Sequence, residues 1–188
     1  MTGDASPTVL ISEERIQARI RELAAEISRD FAGAQGLLLV GVLRGAFIFL
    51  ADLARRITVP HGVDFVATSH YGTGIVASGN VALITDVRTA LAGRQVLLIE
   101  DILDTGHTLC FLQRLFRDRA PEQLKTCVLV RKPSRLQVAV EPDYLGFDIP
   151  DCWAVGYGLD CGNRWRSLPY IGIAPAAGAP GHDGEAVS

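Results

Sequence analysis

At 188 residues, 48% hydrophobic and 21% charged, the chain is sized for one domain with a real core, and global disorder is excluded. A net charge of −3 gives no electrostatic footprint for nucleic acid, and no apolar run approaches the roughly 18 residues of a membrane span. The four cysteines are widely spaced without a C-x-x-C pair, which reads as thiols in a reducing compartment. Residues 1–7 lack a basic segment followed by an apolar one, so no secretory signal is visible. The expectation is a cytoplasmic protein that engages neither nucleic acid nor membrane.

Ser12 is placed to cap a helix whose first turn carries Glu13 and Glu14, acids that suit the positive end of the helix dipole. Apolar residues then recur at Ile16, Ile20, Leu23, Ile27 and Phe31, the three-and-four spacing of one buried helix face. The run Leu37–Leu43 reads as a buried strand. It stops at Arg44-Gly45, before a helical pattern over residues 46–57. An arginine and a glycine between strand and helix make an anion site; an ordinary solvated charge at Arg44 stands level with that reading. Residues 63–71 alternate as a strand, with Val63, Phe65 and Ala67 set against Asp64, Val66 and Thr68, and residues 72–80 are rich in glycine and small side chains. Gly72-Thr73-Gly74-Ile75-Val76-Ala77 formally matches a dinucleotide fingerprint. No helical pattern follows it, because residues 81–85 read as another strand. A loop between two strands, mobile and placed to act as a lid, fits better.

The most informative stretch is residues 96–108, VLLIEDILDTGHT. Four apolar residues run directly into Glu100 and Asp101, then Ile102-Leu103, Asp104 and Thr105-Gly106-His107-Thr108. Such a strand delivers carboxylates to the carboxyl edge of a sheet, where ligands bind in open α/β folds. Backbone N–H groups in the turn that follows, at a helix N-terminus, most often hold phosphate. Carboxylates beside a phosphate cradle suggest a sugar phosphate, a magnesium ion, or both. A helix through Leu109, Leu112 and Phe116 ends before Pro121, and residues 126–130 form a further strand leading to Arg131-Lys132-Pro133. Residues 142–149 are irregular to strand-like, residues 153–157 are apolar, and residues 174–188 read as a disordered tail. Strand–helix alternation in the middle of the chain argues for a doubly wound parallel sheet.

Residues 96–108 closely resemble the phosphoribosyl-diphosphate signature of type I phosphoribosyltransferases. Residues 40–46 (VGVLRGA) resemble that family's diphosphate loop. Residues 147–160, with Phe147-Asp148-Ile149-Pro150-Asp151 and Val155-Gly156-Tyr157-Gly158-Leu159-Asp160, resemble the purine- and metal-binding end of the hypoxanthine-guanine members. Residues 163–170 are similar to those members' C-terminal run, and the likeness extends from about residue 10 to residue 173. It implies one α/β domain over residues 1–173, with a doubly wound, mainly parallel sheet and a small hood formed by the N- and C-terminal segments. The implied reaction joins hypoxanthine or guanine to 5-phosphoribosyl 1-diphosphate with Mg2+ as cofactor. Homodimers or homotetramers are implied as well.

The same resemblance assigns residues. Asp104, Thr105, Gly106, His107 and Thr108 would hold the 5′-phosphate, and Glu100 and Asp101 would face the ribose hydroxyls and a magnesium ion, a cation that favours oxygen ligands. Asp104 would lie near N7 of the purine as the general base. Lys132 would donate to the 6-oxo group, favouring 6-oxopurines over adenine. Trp153 would stack on the base, and Ala154 would offer only backbone groups. Asp160 would serve a second magnesium, while Arg44, Gly45 and Arg166 would hold the leaving diphosphate. A cis peptide is implied at Leu43–Arg44. Departures from the family pattern are Arg44 where lysine is common, Arg131 where an acid is common, and His70 before Tyr71 where the mobile loop usually opens with serine. His107 stands at a variable position and reads as a bystander in proton transfer.

Overall fold

The computed structural model describes residues 6–34, 36–70, 76–78 and 81–175. Ser12 caps the first helix, α1 (Glu13–Asp30), by accepting from the Arg15 N–H at 3.4 Å. The predicted stripe is its buried face, with Ile16, Ile20, Leu23 and Ile27 inaccessible to solvent. Before it lies β1 (Thr8–Ile11), and after it come β2 (Leu37–Leu43), α2 (Phe47–Ala54), β3 (His61–His70), β4 (Val76–Ser78) and β5 (Val81–Thr85). The second half contributes β6 (Gln95–Leu103), α3 (His107–Arg117), β7 (Gln123–Arg131), β8 (Tyr144–Asp148), β9 (Ala154–Val155) and β10 (Ile171–Ile173).

A seven-stranded sheet has the order β4-β5-β3-β2-β6-β7-β8. From β3 to β8 all neighbours are parallel, and β5 and β4 extend the β3 edge antiparallel. The apolar runs of β2 and β6 are continuous because both sheet faces are covered. Leu37, Leu39, Leu97 and Ile99 join the core beneath α1 and α2, while Leu38, Val40, Val96 and Leu98 join the core beneath α3. This is the doubly wound sheet the alternation predicts. A smaller antiparallel sheet, β1-β10-β9, ties the N-terminal strand to the C-terminal one and forms the expected hood.

Three readings need correction. The carboxylates Glu100 and Asp101 do not follow the β6 strand but lie inside it, since β6 pairs with β7 as far as Leu103↔Arg131. The segment expected to be a loop between strands includes the short strand β4, while residues 71–75, 79 and 80 lie outside the described residues, Tyr71 among them. On β3 it is Val66 that is fully buried, whereas Val63 and Phe65 are partly exposed; the apolar alternation marked the more open face. The tail expected from residue 174 is described only to residue 175.

One buried polar cluster locks the hood-side helices to the chain near its C-terminal end. Asp52 of α2 accepts hydrogen bonds from the Tyr157 hydroxyl, from Gln17 Nε2 at 2.9 Å and from Arg55. Burial pushes the Asp52 carboxyl up, but these donors outweigh it and hold it below the ordinary carboxylate range. Its stabilisation is therefore fully present above the unfolded-chain value of about 3.9 and is lost as pH falls through the lower folded value. Replacing Tyr157 by phenylalanine removes one donor to a charged group, a loss of about 1.5–3 kcal/mol. Thermal melts should show Tm lowered by several degrees at pH 7, with the gap to the parent protein closing below about pH 4.

Candidate active site

β2 and β6 are the central neighbours from which the chain winds outward in opposite directions, and ligands of open α/β sheets bind at such a switch point. The last β2–β6 register pair is Gly41↔Ile99. Beyond it the strands part, and a cleft of about 650 Å³ opens between their carboxyl ends. Arg44 and Gly45 line one wall and Glu100, Asp101, Asp104, Thr105, Gly106 and Thr108 line the other. Asp160 and Arg166 close one end, and Ser69 and Ile84 add wall from β3 and β5.

The turn over residues 104–108 feeds α3, whose N-cap Gly106 has a left-handed φ of 88° and no side-chain cap. The first N–H groups of α3 are thus left for a ligand, and the helix dipole favours an anion there. Residues 137–140 brace this turn from behind. The Gln137 N–H donates to the Thr105 carbonyl at 3.0 Å, and a Cβ on Gly106 would meet Val138 and Val140 side chains at 2.7 and 2.9 Å. His107 hydrogen-bonds Gln137 Oε1 at 3.1 Å through Nε2. Its side chain is exposed and does not line the cleft.

Glu100 is 5% exposed, and its Oε2 has no hydrogen-bond partner among the described residues. Burial, reinforced by the neighbouring Asp101 charge, pushes its carboxyl well above the ordinary range. Burial also pushes Asp101 up, to about 6, against backbone N–H donors and Arg166 that pull it down. Two crowded carboxylates, one with an orphaned oxygen, are a donor set that a hard cation would satisfy. Among the described residues no three acid, histidine or cysteine side chains converge as a metal cluster.

On the opposite wall the backbones touch. A Cβ on Gly45 would fall 1.6 Å from Asp101 Oδ2, and one on Gly158 would fall 1.9 Å from the Gly45 carbonyl oxygen. Gly158 also has φ +104°, a conformation costly for any side chain. Arg166 binds the Gly158 carbonyl at 2.8 Å and Asp160 Oδ1 at 2.6 Å, and the Asn163 N–H caps Asp160 Oδ2 at 2.6 Å. Asp160 and Arg166, assigned to a metal and to diphosphate, here hold each other. The Leu43–Arg44 peptide is cis, and Arg44 is exposed at the cleft wall. Gly158→Ala must drive this loop and residues 44–45 apart, with added backbone strain of about 1–3 kcal/mol. Thermal melts should show Tm lowered by several degrees.

Beside the cleft lies a second group. Lys132 follows β7 and is 4% exposed, so it is no ordinary surface lysine. Its Nζ stands 3.5 Å from Asp104 Oδ2 and 3.7 Å from Asp151 Oδ1. Arg135 Nε bonds Asp104 Oδ1 at 2.9 Å. Ala154 is buried, with its N–H directed to the Cys152 carbonyl at 3.0 Å. Trp153 is 43% exposed, an open aromatic face at the edge. Lys132, Trp153 and Ala154 do not line the cleft itself; Asp104 is the residue shared by the two groups. Sequence reading missed Arg135 and the Gly45–Gly158 contact, and it set Asp151 in the purine-binding run without a role. Only the three-residue spacing from Lys132 to Arg135 carried a trace of the first.

A parallel sheet bearing paired acids and a phosphate-type turn at its switch point, under a hood built from both chain ends, defines a type I phosphoribosyltransferase fold. The model of the phosphoribosyl transferase domain matches residues 11–161, and the chain belongs to that family, among its hypoxanthine-guanine members. It is 44% identical over 169 residues to the hypoxanthine-guanine phosphoribosyltransferase of Bacillus subtilis, covering 90% of this chain and 93% of that protein. It is 47% identical over 165 residues to the bifunctional protein TilS/HprT of Listeria innocua, where it spans 88% of its own length and 25% of the relative's. The solved hypoxanthine phosphoribosyltransferase of Trypanosoma cruzi in complex with the product IMP superposes with a TM-score of 0.85 at 35% identity, covering 94% of this chain and 98% of that one.

Proposed function

We propose that the protein transfers the 5-phosphoribosyl group of 5-phosphoribosyl 1-diphosphate to N9 of hypoxanthine or guanine, giving IMP or GMP and diphosphate in purine salvage. The observation that carries this reading is the buried Lys132 set 3.5 Å from Asp104 at the end of a phosphate-type turn. A 6-oxopurine presents an acceptor at O6 and a proton at N7, and Lys132 and Asp104 meet those two needs. The turn over residues 104–108 takes the 5′-phosphate on backbone N–H groups and the hydroxyls of Thr105 and Thr108. Arg44, the Gly45 backbone and Arg166 take the diphosphate. As the C1′–O bond to diphosphate breaks, negative charge gathers on that leaving group, and fixed cations stabilise it most there. Asp104 accepts the N7 proton as N9 bonds to C1′ of the ribose. Trp153 covers one face of the base, and Ala154, whose N–H is given to Cys152, has its carbonyl to offer the base edge.

The orphaned Glu100 oxygen and the raised Asp101 carboxyl fit Mg2+, which needs only one or two protein carboxylates beside substrate oxygens. Asp160 is the candidate for a second ion once Arg166 turns to diphosphate. When bound, such ions neutralise substrate charge. The connection from β3 to β5, opening at His70 and Tyr71, is the candidate cover that keeps water from the reacting centre. The domain is proposed to run from residue 1 to 173, followed by an appended tail, and to assemble as a homodimer or homotetramer in the cytoplasm. No helix among the described residues is long and apolar enough to cross a membrane.

Purified protein supplied with 5-phosphoribosyl 1-diphosphate, magnesium and each of hypoxanthine, guanine, xanthine and adenine tests the proposal. Nucleotide formation from hypoxanthine or guanine is expected. Silence with every 6-oxopurine would sink it, and preference for adenine would remove Lys132 from its role.

A further inference from the structure

We infer that Arg135 is a positioning residue for this reaction, holding the Asp104 carboxylate in the orientation from which it receives the purine proton. The inference rests on Asp104 being the general base. The chain makes a 3-10 turn over Pro133–Arg135 directly after Lys132, closed by the Arg135 N–H on the Lys132 carbonyl at 3.0 Å. That turn folds Arg135 back toward the acid that Lys132 faces. The two cations divide the carboxylate between them. Arg135 Nε donates to Oδ1 at 2.9 Å, and Lys132 Nζ stands 3.5 Å from Oδ2. Asp151 lies 3.8 Å from Arg135 and 3.7 Å from Lys132, so it balances charge without a close hydrogen bond.

The two contacts differ in what they can do during turnover. Lys132 is buried and its ammonium is the group a 6-oxo oxygen would claim, so its attention to Asp104 is divided once base is bound. Arg135 is 41% exposed, sits on the outer side and gives its hydrogen bond to the other oxygen. It can keep Oδ1 pinned while Oδ2 turns to N7–H. The terminal torsion of an aspartate is otherwise broad, and a reacting group displaced by about 1 Å can lose about a hundredfold in rate. The planar guanidinium fixes direction as well as charge, which an ammonium does less well.

The test measures kcat and both KM values for Arg135→Met, Arg135→Gln and Arg135→Lys, each also in the Asp104→Asn background. Arg135→Met and Arg135→Gln should lower kcat about 10- to 100-fold, with KM for 5-phosphoribosyl 1-diphosphate within about twofold of the parent. Arg135→Lys should recover part of the loss. In the Asp104→Asn background the Arg135 changes should add nothing further, since no base remains to be positioned. The exposed site leaves the core intact, and an unchanged Tm in Arg135→Gln separates orientation from folding. Unchanged kcat in Arg135→Met, or the same fold-loss with and without Asp104, would overturn the inference. An Asp104→Asn protein as fast as the parent would instead overturn the general-base reading beneath it.

Discussion

Replacing Asp104 by asparagine is expected to lower kcat by about 10²- to 10⁴-fold, the usual worth of a positioned general base, while KM for 5-phosphoribosyl 1-diphosphate stays within a few-fold. The substitution keeps shape and removes the charge. An amide oxygen can still lie against N7–H but has little affinity for the proton. The phosphate turn that Asp104 opens is made by backbone groups and by the brace from residues 137–140, so the cradle should survive. The amide takes the Asp104 charge from Lys132 and Arg135, but the Asp151 carboxylate stays 3.7 and 3.8 Å from them, which limits the damage to folding. Pre-steady-state measurement separates the outcomes, because a slow step after chemistry would mask part of the loss in kcat. Equal losses in kcat and in phosphoribosyl diphosphate affinity would mean that Asp104 serves binding rather than proton transfer.

The reach and the failure of the sequence reading both have physical origins. β2 and β6 were legible because burial on two faces writes an uninterrupted apolar run, and α1 was legible because burial on one face writes a period of three and four. The turn over residues 104–108 was legible because its residues are contiguous. β1 and β10 were not, since each is a short strand whose partner lies at the other end of the chain; nothing local distinguishes them from loop. On β3 the apolar alternation was visible but pointed to the more open face, because exposure of Val63 and Phe65 depends on what covers that edge. The acids of residues 100 and 101 were identified, but their place inside β6 depends on β7 continuing beside them. Arg135 and the role of Asp151 were unreadable for a related reason: a surface arginine and a turn aspartate acquire these contacts only when a turn and two strand ends bring them to Lys132 and Asp104. Glycines 45 and 158 show the same limit, being distant in sequence and in backbone contact in space.

Lys132→Gln should separate the two halves of the site more cleanly than any change in the cleft. Lys132 is outside the cleft proposed to hold the phosphoribosyl group and nearly inaccessible to solvent, so KM for 5-phosphoribosyl 1-diphosphate should hardly move. Loss of a charged hydrogen bond to O6 costs about 1.5–3 kcal/mol, which corresponds to a drop in kcat/KM for hypoxanthine of roughly 10- to 150-fold. Adenine should behave in the opposite way. Its 6-amino group is a donor that a buried ammonium can only repel, whereas the glutamine carbonyl can accept from it. Adenine turnover should therefore hold or rise, and the hypoxanthine-to-adenine ratio should fall by more than hypoxanthine turnover alone falls. Removing one cation from a group of two acids and two bases also leaves Asp104 and Asp151 to Arg135 alone. Both acids are partly open to water, at 33% and 44% side-chain exposure, so the stability loss should lie below the 3–5 kcal/mol of a fully buried broken pair. Steady-state kinetics with both bases decides the matter. A parallel fall for hypoxanthine and adenine would make Lys132 a partner of the acids and leave the reading of the 6-position to another group.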